Sequence, residues 1–345
     1  MPRNVVFAID LEPDEYKSGP TDSWRGTHIT LAQLSSWRRR LEEQSQAPVD
    51  FNWFFRFDPQ IERNWGRRDW VFQACPDLLR AVERHADLTG IHVHTWRWDE
   101  GRTSWFSDFA DAGWRAHCFE TSAEAFRSIF GLPPIASRFG DRSIWHEDIA
   151  ILKQQGVRYD LTVVPGAPGH PLSIDPLASS PLPDYRRAPR VPYQPSTEDY
   201  LQPRPYRPIS GPEDDFWMVP ITVTSGLHWL PLRCPPFLVR CALPMNLVLR
   251  PRQVWVQLAS EMDRDAAEPV VMVLRSGDLA RPRYLANFNL IMERVCGHAG
   301  IRNCRFAAVD RAIGEFVKAQ AAAAVGRNPE NDGRSTRPFC QHRHA

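Results

Sequence analysis

The sequence has no framework of paired cysteines. Its seven cysteines, Cys75, Cys118, Cys234, Cys241, Cys296, Cys304 and Cys340, are odd in number and far apart, with no C-x-x-C pair. That spacing excludes a small disulfide-stapled domain and reads as buried free thiols in a reducing compartment. Long apolar runs are also missing. No stretch approaches the ~18 residues that a membrane-spanning helix requires. The opening run Val5-Val6-Phe7-Ala8-Ile9 is too short for a signal-peptide core, and Asp10 ends it. A cytoplasmic protein is the expectation. Neither sign of charge dominates: 42 basic and 41 acidic residues leave a net charge of +1 and no charge block. Nothing therefore points to nucleic acid or an anionic membrane as partner. There is no internal repeat and no Gly-x-Ser-x-Gly turn for a nucleophilic serine.

What is present is a chain of 345 residues, enough for one large domain. A chain this long buries roughly three quarters of its unfolded surface and needs no covalent staples. Thirteen tryptophans and 31 prolines are both high. Tryptophan lines ring-binding sites as well as filling cores, and proline implies long ordered loops.

The most informative stretch is Gly90-Ile91-His92-Val93-His94-Thr95-Trp96. On a strand, side chains alternate faces, so His92 and His94 point the same way. Two neutral imidazoles side by side make a divalent-metal site or a hydrogen-bonded pair near a barrel mouth. Val5 to Asp10 reads as a buried parallel strand whose terminal acid projects into a site, with Glu12 on the face of Asp10. Further strands are expected at 49–55, 135–139, 159–164, 216–224, 270–274 and 305–309. Helices are expected from His28 or Thr30 onward, over 70–85, from Thr121 or Ser122, and over 145–155, 247–262, 281–296 and 310–325. Alternating strands and helices signal a parallel α/β sheet or barrel. The aromatic segment 96–114 reads as a loop, either a substrate wall or a satellite cluster. Residues 165–216 form a Pro-rich excursion within a single domain spanning 1–325, and the polar tail 326–345 is expected to be disordered.

Several separated stretches resemble the polysaccharide deacetylases that carry the NodB-homology domain. Ala8-Ile9-Asp10-Leu11-Glu12 resembles the family's Asp-Asp or Asp-x-Glu strand, and Gly90 to His94 its histidine-bearing third strand in a His-x-His form. Ser137-Arg138-Phe139-Gly140 is similar to the Phe-Arg-x-Gly strand end, and Gly156 to Val163 to the strand one helix later. Pro192 to Ser196 and Val219 to Thr222 resemble a later loop and strand of a subgroup. The resemblance implies an α/β fold, a distorted (β/α) barrel of about seven parallel strands. It implies hydrolysis of an acetyl group on a sugar or polysaccharide precursor, with a metal-bound water as nucleophile. Asp10 would be the base and Arg138 its orienting partner. Glu12, His92 and His94 would hold a divalent metal, zinc being the expected one. Trp96, Trp98 and Arg275 would contact the carbohydrate.

The departures are specific. Trp98 stands where the commoner family pattern has a second histidine, Leu11 where it has a second acid, and Arg275 where it has a histidine acting as general acid. Arginine cannot give up a proton at neutral pH, although it can stabilise an oxyanion. Two other readings follow: a barrel that binds carbohydrate or a partner protein without turnover, and a metal-independent hydrolase of small amides.

Overall fold

The computed structural model describes residues 2–85, 87–169, 175–205, 215–230 and 237–325. The tail 326–345, with Cys340, His342 and His344, lies outside them, as do Cys234 and parts of the Pro-rich excursion.

The first strand, β1 (Arg3–Leu11), has all nine residues buried. Burial on both faces is the condition of a parallel strand covered by helices, which explains its unbroken apolar run. The chain continues through α1 (Arg25–Ser45), β2 (Asn52–Arg56), α2 (Pro59–Trp65), α3 (Trp70–Ala74), α4 (Asp77–Glu83) and β3 (Leu88–Val93). A hairpin of β4 (Trp96–Asp99) and β5 (Ser104–Ser107) precedes α5 (Ala112–Phe130), β6 (Ala136–Phe139), α6 (His146–Gln154), β7 (Tyr159–Asp160) and β8 (Trp217–Met218). A second hairpin, β9 (Val223–Leu230) with β10 (Phe237–Pro244), leads to α7 (Pro251–Met262), β11 (Val270–Arg275), α8 (Pro282–Cys296), β12 (Cys304–Phe306) and α9 (Val309–Val325).

The main sheet runs β11-β1-β2-β3-β6-β7-β8, and β12 pairs with the start of β1. Every pairing in it is parallel. The sheet curls until its edges nearly meet. Thr222 N–H donates to Val271 O at 3.1 Å, and Leu247 N–H to Val273 O at 3.1 Å, so irregular backbone laces the gap. This is the distorted barrel expected. Its register matters for the site: Asp10 sits opposite Arg275, Arg56 opposite His92, and His92 opposite Arg138, all at carboxyl ends of strands. Loops at that end hold the active sites of parallel barrels. The free thiols of Cys75, Cys118, Cys296 and Cys304 are buried. Among the described residues no helix is long and apolar enough to cross a membrane.

Several local expectations are corrected. The single helix over 70–85 is two, because Pro76 has no N–H to donate and forces Cys75 out of helical geometry (φ −136°, ψ 80°). The helix expected from Thr121 or Ser122 begins at Ala112, capped by Asp111, whose carboxylate accepts the Trp114 N–H at 3.0 Å. Ser122 is interior and donates to Cys118 O. Helix α1 starts at Arg25 rather than at His28 or Thr30, since the distant Asp14 accepts the Gly26 N–H at 2.8 Å. The segment read as an aromatic loop contains the β4–β5 hairpin.

Behind the strand ends, Asp160 accepts from Ser137 Oγ at 2.7 Å and from Thr162 N and Oγ1 at 3.0 Å, and Thr162 Oγ1 accepts the Phe139 N–H at 2.9 Å. This network fixes β6 on both sides of Arg138. Burial raises the Asp160 pKa from 3.8 to about 6, against those donors. Since the folded value lies above the unfolded one, its stabilising contribution is complete below pH 3.8 and is lost as pH rises through about 6. The loss amounts to about 3 kcal/mol. Urea unfolding of wild type and Asp160→Asn should therefore show the wild type losing ground to the variant across this window. A pH-independent difference between them would contradict the assignment.

Candidate active site

At the carboxyl ends of the strands lies a cavity of about 410 Å³. Asp10, Glu12, His92, His94, Arg138 and Arg275 all line it. The structure thus brings together six of the eight residues singled out in the sequence.

Asp10 is paired with Arg138 through Nη1, and its other oxygen, Oδ1, is buried with no hydrogen-bond partner, 3.7 Å from His92 Nδ1. Burial drives the Asp10 pKa up to about 7, against the pull of Arg138 and with a further push from Glu12. Burial opposes the charge of Glu12 as well. There Arg275 and the two imidazoles outweigh it and hold the carboxyl well below the usual range. Arg275 Nε contacts Glu12 Oε1, leaving Oε2 to face the histidines.

His92 donates from Nδ1 to Arg138 O at 2.8 Å, so its Nε2 carries a free lone pair. Burial first, then the neighbouring His94, holds its pKa well below the ordinary value, and the ring is neutral. Burial and Arg56 also oppose a charged His94, but Asp141 and Glu12 outweigh them and raise its pKa. Gly140 lets this ring lie flush on the backbone, since a Cβ there would overlap the imidazole.

Glu12, His92 and His94 offer one donor atom each within a common reach of 4.8 Å, all buried. Glu12 Oε2 stands 3.4 Å from His94 Nε2 and 3.9 Å from His92 Nε2, and the two Nε2 atoms are 3.1 Å apart. Neighbouring ligands on a tetrahedral ion with ~2.0–2.1 Å bonds stand roughly 3.3 Å apart. The donor set fits a divalent metal, with two imidazoles and one carboxylate oxygen.

Two side chains compete for the far nitrogen of His94. The Trp96 indole N–H donates to Nδ1 at 2.8 Å, and Asp141 Oδ2 lies 3.3 Å from the same atom. Indole can only donate and carboxylate only accept, so each partner selects a different tautomer. Only the tautomer that gives its Nδ1 proton to Asp141 frees Nε2 for a metal. Asp141→Ala should therefore weaken zinc binding by about 10–100-fold in a chelator-competition titration. Trp96→Phe, which deletes the competing N–H, should tighten it. An unchanged affinity in Asp141→Ala would remove the positioning role.

The two remaining candidates lie elsewhere. Trp96 is fully buried behind His94 and does not line the cavity. Trp98 lies on the hairpin beside Trp105, in a separate groove. Trp105 and Trp98 of the hairpin line that groove, and only the hairpin's last residue, Ser107, reaches the central cavity. Sequence reasoning missed Arg56, Asp141 and Tyr16. Arg56 is completely buried, paired with Asp58 at 2.7 Å, and its Nη1 lies 3.8 Å from Glu12 Oε2. Its signal was available: an arginine ends the apolar run Trp53-Phe54-Phe55, as Asp10 ends its own. Tyr16 donates its hydroxyl to Asp141 Oδ1, and burial together with that carboxylate keeps its phenol protonated. Asp141 and Arg142 both have positive φ, 56° and 60°, a conformation costly for non-glycine residues and found where a site over-determines it.

No family model matches the chain, and no curated protein matches it in sequence. Solved structures do resemble it. A protein from Parabacteroides distasonis, provisionally named a glycoside hydrolase/deacetylase, aligns with a TM-score of 0.51 at 12% identity, over 92% of this chain and 72% of that one. A provisionally named polysaccharide deacetylase from Pseudomonas aeruginosa PAO1 gives 0.49 at 13% identity, over 91% of each chain. Another from Mycobacterium smegmatis gives 0.45 at 14%, over 99% of this chain and 96% of that one. Identities this low speak to fold alone: the chain shares the fold of the Parabacteroides protein, a curled parallel sheet wrapped by helices.

Proposed function

We propose that this protein is a metal-dependent deacetylase acting on the acetyl group of a sugar or polysaccharide precursor. The observation that carries this reading is the convergence of the Glu12, His92 and His94 donors with the Asp10–Arg138 pair in one cavity. A divalent ion in the donor set would polarise the acyl oxygen and supply a nucleophilic water at neutral pH. Asp10, its unpartnered Oδ1 facing His92, would take the proton as water attacks. Burial by itself raises its pKa, and a divalent cation bound beside it would favour the ionised form that accepts the proton. Arg138 would hold the carboxylate in place through a charge-assisted pair. His92 would stay neutral, its ring orientation fixed by Arg138 O. Arg275, which lines the cavity and is tied to Glu12, would restrain the carboxylate ligand and place positive charge near the developing oxyanion. The buried free thiols support a reducing setting.

The test is metal analysis of the purified protein together with acetate release from N-acetylated sugars. The reading expects about one divalent ion per chain and measurable acetate. Protein that binds no divalent ion when one is supplied, and that releases no acetate, would overturn it.

A further inference from the structure

The charged groups that line the central cavity are matched, with one exception. Asp10 pairs with Arg138, and Arg275 serves both Glu12 and, at 3.6 Å, Asp278. Asp175 lines the wall and takes Lys17 Nζ at 2.8 Å. Arg281 has Glu15 at 3.7 Å. Asp141 accepts from the Tyr16 hydroxyl and faces His94. Arg142 lines the same cavity, and among the described residues no group hydrogen-bonds or ion-pairs with its guanidinium.

Arg142 is half-buried. Arginine cannot escape such a place by shedding its proton, and a partly desolvated cation without a partner is unfavourable. Burial lowers its pKa, against weaker pulls from Tyr185 and Asp141. The backbone adds to the cost. Arg142 has a φ of 60°, a conformation that glycine and asparagine adopt more readily than arginine. Main-chain bonds hold the turn. The Tyr185 hydroxyl donates to the Arg142 carbonyl at 2.7 Å, and the Ser143 N–H to Gly140 O at 3.2 Å. Neither bond uses the guanidinium, so an uncharged residue would serve the turn at least as well. Strain kept at a functional site points to a role for the side chain itself. The guanidinium is a planar fork whose N–H groups match two oxygens of a carboxylate or a phosphate.

We propose that the substrate is an acidic N-acetylated sugar, bearing a carboxylate or a phosphate, and that Arg142 receives that anion. The inference rests on the deacetylase reading of the cavity and narrows the substrate to a negatively charged one.

The experiment is calorimetric titration of the full chain with glucose, glucuronate and glucose 1-phosphate. None of the three carries an acetyl group, so none is turned over. Wild-type protein should bind at least one of the two anions about 10–100-fold more tightly than glucose, the scale of a charge-assisted hydrogen-bonded pair. The tighter of the two identifies the anion. Arg142→Asn, which a positive φ tolerates, should keep or raise the melting temperature. It should bind all three sugars within about 3-fold of one another, because the charge-assisted pair is gone. Equal affinity of wild type for all three, no binding of either anion, or an anion preference that Arg142→Asn leaves intact would overturn the proposal. The acetylated counterparts separate the two readings. Acetate released as fast from neutral N-acetylglucosamine as from its uronate and its 1-phosphate would overturn the acidic substrate and leave the deacetylase reading standing. An anion preference that Arg142→Asn abolishes, with no acetate from any sugar, would support the anion site and overturn the deacetylase reading.

Discussion

Asp10→Asn should lower kcat for acetate release by about 10²–10⁴-fold, the usual contribution of a positioned general base. The substitution keeps the side chain's shape and removes its negative charge and its capacity to take a proton. Asp10 stands outside the donor set of Glu12, His92 and His94, so the variant should keep its metal. That retention separates loss of a base from loss of the site. Asp10 is 4% exposed and Arg138 loses its counter-charge, so some loss of stability is also expected. Activity at the wild-type level in Asp10→Asn would show that another group takes the proton.

His92→Ala should have the complementary effect. His92 Nε2 is the donor whose tautomer is already set, by the 2.8 Å contact of Nδ1 with Arg138 O. Removing it leaves Glu12 and His94, too few ligands for a stable site with nitrogen and oxygen donors. Zinc content measured after dialysis should fall from about one ion per chain to near none, and acetate release should fall with it. His92→Ala that retains stoichiometric zinc and activity would mean the ion sits elsewhere. The two variants together separate the proton acceptor from the metal ligands, since one keeps the ion and loses the rate while the other loses both.

The barrel was legible in the sequence for a simple reason. The apolar runs Val5–Ile9 and Val270–Leu274 belong to strands buried on both faces, and each is followed by a charged residue, Asp10 and Arg275, at the sheet's carboxyl edge. Asp10, Glu12, His92 and His94 were legible from strand alternation and strand ends, whereas Arg138 and Arg275 were found only through the family resemblance. Arg56 obeys the same rule and was missed because its strand was read only as far as Phe55. Asp141 carries no comparable signal. It follows β6 in a short 3-10 turn with positive φ, and its meeting with His94 and Tyr16 depends on how three loops converge. Trp96 and Trp98 show the limit of periodicity. Their strand β4 was read as part of a loop, and only the tertiary structure shows that one lies behind His94 and the other in a separate groove. The resemblance set Trp98 against a family histidine, yet in space His92 and His94 already supply two imidazoles.

Acetate release from an N-acetylated sugar, before and after removal of metal, bears most directly on the site. Wild-type protein should release acetate, lose the activity on chelation and regain it when zinc is restored. Protein that holds zinc and binds the sugar but releases no acetate would contradict the account, and would leave the barrel binding carbohydrate without turnover.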